Sequence, residues 1–193
     1  VRQAKWLLRR TLLDLSLGLE LVSYFHLVDL VRYRWKQKPQ ETPQDAAPRT
    51  NFRADFGLLR GDDCTPKPSY FACQRVCSLF DRATQPIGAH ARLAGDKLAV
   101  PADSLTQVCF LRGKHPLFAY WWPEALQKDA ALQTVDVILP AEKDWTLRSP
   151  VLVDPLSGEY YRLNGQPQGA NWSFLGLPLT DYPLLITDGE VVA

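Results

Sequence analysis

The stretch QAKWLLRRTLLDLSLGLELVSYFHLVDL, residues 3–30, is the one whose reading decides the fold. Its first half is built from long unbranched side chains, with no Pro and no interior Gly. That predicts a helix from Gln3 to about Leu17, closed by Gly18 where a left-handed residue is favoured. Leucines and Trp6 spread apolar surface around most of the helix, and Arg2, Lys5, Arg9 and Arg10 leave it one wet edge. Such a helix has to lie against a sheet or other helices. The second half changes character. Leu21 to Leu27 is short, aromatic and β-branched, and apolar on both faces, as a buried parallel strand is.

Working outward, residues 32–50 are polar and punctuated by Pro, which predicts a long exposed loop. Phe56 to Arg60 is a short apolar run, Gly61-Asp62-Asp63 a turn, and Pro68 opens a helix running to about Asp81, because a Pro in the first turn gives up no helical hydrogen bond. The order is therefore helix, strand, loop, helix. After Thr84 the pattern switches to short apolar runs about every ten residues, broken by Gly, Pro, Asp and Asn. Leu156-Ser157-Gly158-Glu159 marks a hairpin turn within VLVDPLSGEYYRL. Regular short strands of this kind describe an antiparallel sandwich or small barrel. The boundary between the two parts falls between Asp81 and Ile87.

Composition narrows the functional classes. The chain has 193 residues, 46% hydrophobic and 22% charged, enough apolar material for a core. A net charge of +1 gives no basic field for nucleic acid, and no apolar run reaches the length of a membrane span. There is no Met and no signal-peptide core at the start, so the chain reads as a fragment or a processed protein. Cys64, Cys73, Cys77 and Cys109 make no CxxC pair and only three His are present, so no zinc site and no cofactor is expected. The four thiols read as small packing residues, with a disulfide from Cys64 to Cys73 or Cys77 as the alternative. Tyr120-Trp121-Trp122-Pro123 reads as sandwich core rather than a sugar platform, because consecutive strand residues face opposite ways. Asn171-Trp172-Ser173 is a glycosylation sequon that matters only in a secreted eukaryotic chain.

These pieces together resemble a known layout. Residues 3–30 are similar to the seventh helix and eighth strand of clan A glycoside hydrolases, the cellulase-like and β-xylosidase-like barrels of families 5 and 39. FGLLRGDDCTPKPSYFACQRV, residues 56–76, resembles the segment leading into their eighth helix. PVLVDPLSGEYYRL and LPLTDYPLLIT resemble the last hairpin and strand of the β-sandwich behind such barrels. The fold this implies is α/β followed by all-β. Residues 1–85 would be the last helix–strand–helix units of a TIM-type (β/α)8 barrel, and residues 86–193 an antiparallel β-sandwich. The resemblance also implies a retaining mechanism using two Glu. Their positions, after the fourth and seventh strands, would lie upstream of Val1. None of the six Glu here falls at a chemical position, so no catalytic residue is assigned. Barrel sites are built at the C-terminal ends of strands, which makes Tyr24 or Phe25 a sugar platform and His26 and Asp29 partners for sugar hydroxyls.

The function implied is that of a C-terminal segment of a glycoside hydrolase. Its partners would be an oligo- or polysaccharide and the rest of the barrel upstream, with a secreted or periplasmic setting favoured. A non-catalytic carbohydrate-binding or scaffold protein on the same architecture is the rival reading, and an independent α+β interaction module a third.

Overall fold

The computed structural model describes all residues except 25, 34–51, 96, 97, 99, 125, 127–132, 143, 170 and 193. The loop expected over residues 32–50 lies almost wholly outside the described residues, and so does Phe25. Helix α1 (Arg2–Ser16) comes first, followed by a small antiparallel pair, β1 (Leu30–Tyr33) and β2 (Phe52–Ala54), and by α2 (Pro68–Leu79). Ten strands follow: β3 (Thr84–Ile87), β4 (Arg92–Ala94), β5 (Thr106–Arg112), β6 (His115–Trp121), β7 (Gln133–Pro140), β8 (Pro150–Val153), β9 (Tyr160–Arg162), β10 (Gln166–Gln168), β11 (Asn171–Leu179) and β12 (Leu184–Asp188). They form a six-stranded sheet in the order β3-β5-β6-β12-β8-β9 and a four-stranded sheet in the order β10-β11-β7-β4. Every pairing in both sheets is antiparallel, so the sandwich expected after Ile87 is present.

The part before it differs from the expectation. Residues 21–27 form no strand, and the chain between α1 and β1 is an irregular connection in which Leu21 is 82% and Leu27 60% exposed. An apolar, β-branched run becomes a strand only where another backbone satisfies its N–H and C=O groups, and among the described residues nothing pairs with 21–27. The first ladder contact comes one residue later, a parallel bridge from Val28 to Leu59. No barrel unit is therefore seen among the described residues. Both helices instead lie against the outer face of the six-stranded sheet.

Strand alternation explains why a helical layer is needed there. In β6, Phe118 and Tyr120 point into the core between the two sheets, while Leu117, Ala119 and Trp121 point the other way. In β12, Leu184 and Ile186 face inward and Leu185 outward; in β8, Leu152 faces inward and Val151 and Val153 outward. Ala4, Leu8 and Leu12 of α1, spaced four apart, and Ala72, Val76 and Leu79 of α2 cover that outer face. Packing is thus continuous across the division near residue 85, from helices to sheet to sheet. It also sorts the Trp pair as expected. Trp121 is 1% exposed beneath the helices, and Trp122 packs partly against the inter-sheet core.

Lys5, expected on the wet edge of α1, is 4% exposed. Its Nζ lies 2.6 Å from Asp181 Oδ1, in the turn between β11 and β12, and 5.3 Å from the centre of the Tyr182 ring. A cation buried on the core side of a helix is tolerable only against a carboxylate, and this one locks α1 to the last turn of the sandwich. Replacing Lys5 by Met should cost about 3–5 kcal/mol in urea unfolding, because the Asp181 carboxylate then stays buried without its ammonium. The double variant Lys5→Met/Asp181→Leu should lose much less than either single change.

Candidate functional site

Helix α1 stops at Ser16, and Gly18 takes the left-handed conformation, with φ 78°, that turns the chain back along the helix. The returning segment Leu19–Val22 is a ridge between two clefts. The larger, about 850 Å3, runs between the end of α1, α2 and β3, with Leu15, Glu20, Cys77, Phe80 and Arg82 among its walls. The smaller, about 360 Å3, has Trp6, Arg10 and Asp14 on one wall and Leu21, Ser23 and Tyr24 on the other. Trp6, Arg10 and Asp14 stand four residues apart and so share one face of α1.

The smaller cleft carries the chemistry of a sugar site. The Trp6 indole is 53% exposed, a planar apolar face free to stack. One turn on, Arg10 Nε donates to Asp14 Oδ2 at 2.7 Å, which sets a guanidinium and a carboxylate beside it. Across the cleft the Tyr24 hydroxyl accepts from Gln3 Nε2 at 2.7 Å. The same Gln3 amide donates to the carbonyls of Phe56 (2.8 Å) and Gly57 (3.1 Å), and its Oε1 accepts from Ser69 Oγ at 3.1 Å. Burial pushes the Tyr24 hydroxyl above its ordinary pKa, with the Gln3 bond opposing that shift. An aromatic face with a few fixed polar groups is the usual composition of a small-ligand site.

The three residues singled out by sequence separate in space. Tyr24 lines the cleft. Asp29 is 6% exposed beneath it, its Oδ1 accepting from Gly57 N at 2.7 Å and from Lys67 Nζ at 2.9 Å. Lys67 Nζ also donates to the Asp55 carbonyl at 3.0 Å, so this ion pair ties residues 55–67 to the end of the connection. His26 takes φ 69° and is partly exposed outside the lining of either cleft. Trp6, Arg10 and Asp14 were read only as helix surface. Their four-residue spacing was the available signal, and it places an indole and an ion pair on one stripe. All four cysteines are free thiols, so the alternative of a Cys64 disulfide is not realised; burial pushes the Cys109 thiol up to about 12, leaving it inert.

No family model and no curated protein matches this sequence. Among solved structures the chain is similar to a cycloisomaltooligosaccharide glucanotransferase of Paenibacillus sp., crystallised with cycloisomaltoheptaose, at 11% identity and a TM-score of 0.46. The match covers 68% of this chain and 24% of that one, so the chain spans about a quarter of that enzyme. A likeness at that score carries no conclusion about this chain.

The wall behind Tyr24 depends on close backbone approach. A Cβ at Gly57 would stand 2.3 Å from the Asp29 backbone nitrogen, and one at Gly61 2.4 Å from the Asp29 carbonyl oxygen. Gly57→Ala should therefore destabilise the chain by at least about 1–3 kcal/mol in chemical unfolding, the range for overpacking. Gly88→Ala, with nothing near its added carbon, should be close to neutral.

Proposed function

We propose that this chain is the C-terminal, carbohydrate-contacting segment of a glycoside hydrolase, with the two catalytic Glu of a retaining mechanism on barrel strands upstream. The observation that carries this reading is the cleft of Trp6 and Tyr24 with the Arg10–Asp14 pair at its floor. A pyranose stacks its C–H face on an indole and offers hydroxyls at its rim, where a guanidinium donates and a carboxylate accepts. In this reading Tyr24 touches the sugar, His26 flanks the cleft, and Asp29 holds the segment that supports Tyr24. The absence of a ladder at residues 21–27 fits the same reading, since a barrel strand acquires its ladder only between the neighbouring strands of a closed barrel. A secreted or periplasmic setting goes with an oligo- or polysaccharide ligand.

The non-catalytic alternative, a carbohydrate-binding or scaffold protein on this architecture, has one observation in its favour. Among the described residues every Glu is exposed, at positions 20, 124, 142, 159 and 190, whereas a carboxylic acid that protonates a leaving group needs burial to raise its pKa.

Both readings share a binding step, and it separates them from a module with no sugar link. In an NMR titration with neutral β-linked and α-linked gluco- and xylo-oligosaccharides, the Trp6 indole N–H should shift saturably for at least one series. Trp6→Ala should weaken that binding at least about tenfold, about 1.4 kcal/mol. The chain alone should release no product from aryl-glycosides. No saturable shift for any sugar would overturn the proposal, and so would binding indifferent to Trp6→Ala.

A further inference from the structure

A second cluster of chemistry-bearing side chains lies at the far end of the sandwich sequence. Gly113 and Lys114 turn β5 into β6, and His115 is the first residue of β6. The antiparallel pairing of β6 with β12, set by Ile186 opposite Phe118, runs the start of β6 alongside the end of β12. Asp188 ends β12, and Glu190 sits in the 3-10 turn Gly189–Val191 that follows. One ligand atom from each of His115, Asp188 and Glu190 lies within 4.8 Å of the other two.

We propose that these three residues hold a first-row divalent cation, zinc foremost, which pins the C-terminal turn to the β5–β6 hairpin. Two observations carry this beyond mere proximity. First, Nδ1 of His115 is buried with no hydrogen-bond partner. The Nε2 nitrogen stands 3.6 Å from Glu190 Oε2, too far for a hydrogen bond. Two ligands, each about 2.05 Å from a tetrahedral zinc, are separated by about 3.3 Å, so this gap suits two atoms sharing a cation better than two atoms sharing a proton. Second, Asp188 is fully buried and already oriented. Its Oδ2 accepts from the backbone N–H groups of Arg148 (2.5 Å) and Ser149 (3.0 Å), and its Oδ1 from that of Glu190 (3.0 Å). A carboxylate offers about four lone-pair positions, which leaves one. A ligand held by second-sphere bonds of this kind is what a metal site requires. One imidazole and two carboxylates suit zinc or manganese; calcium and magnesium favour all-oxygen shells. The cation is structural here, because β12, β6 and the C-terminal turn meet at it.

Calorimetric titration of the full chain with ZnCl2, paired with a thermal melt, tests this. One zinc should bind per chain and raise Tm, with MgCl2 giving no shift. His115→Gln and Glu190→Gln should each weaken zinc binding at least about tenfold and abolish the rise in Tm. The side chain of Glu190 is 65% exposed, so Glu190→Gln decides the matter if His115→Gln fails to fold. Cys73→Ser/Cys77→Ser should leave binding intact. Absence of saturable zinc binding overturns the proposal. So does binding that survives Glu190→Gln or that disappears with the two thiols.

Discussion

Strands β6 and β12 are apolar on both faces, and a sheet of that kind needs a covering layer on each side. One layer is the four-stranded sheet, which closes the sandwich in the ordinary way. The other is the pair α1 and α2, whose small and branched residues Ala4, Leu8, Ala72 and Val76 sit on Leu117, Ala119 and Leu185. The layers are helix, sheet and sheet, and the middle one touches both others. Each large side chain turned toward the helices would forfeit about 1.5–3 kcal/mol if the helices were lifted away. The buried Lys5–Asp181 pair gives that stacking a fixed register, because its two charges tolerate burial only when they meet.

The helical layer also creates the candidate site. An α-helix lying on a sheet keeps one stripe dry, and the residues off that stripe face whatever crosses the helix. In α1 the dry stripe is Ala4, Leu8 and Leu12, and the neighbouring stripe is Trp6, Arg10 and Asp14. The returning segment 19–24 lies over the second stripe and leaves a cleft between. The network Tyr24–Gln3–Ser69 and the Asp29–Lys67 pair hold that segment and the loop 55–67 against the helices. The groups that would contact a ligand and those that only support the wall are distinct side chains, so their effects on binding and on stability are separable.

Much of this was legible in the sequence. Long unbranched residues ended by Gly18 gave α1, Pro68 gave the start of α2, and the spacing of short apolar runs after Thr84 gave the sandwich. Three things were not. Leu21–Leu27 has the composition of a strand, but composition does not supply a partner backbone, and among the described residues none is there. Lys5 looks like surface on a helical wheel; its burial depends on Asp181, a residue near the other end of the chain. His115, Asp188 and Glu190 carry no metal-spacing motif, since a sheet pairing rather than a local turn brings them together.

The central claim is that the helical layer and the sandwich form one cooperative core. Native-state amide exchange measures this directly. The account predicts that the amides of Leu8–Leu12 in α1 and of Leu117–Trp121 in β6 exchange with the same free energy, equal to that of global unfolding, while residues 19–24 exchange quickly. Exchange of the α1 amides through a separate opening several kcal/mol easier than that of β6 would contradict it, and would make the helices an appendage on a self-sufficient sandwich.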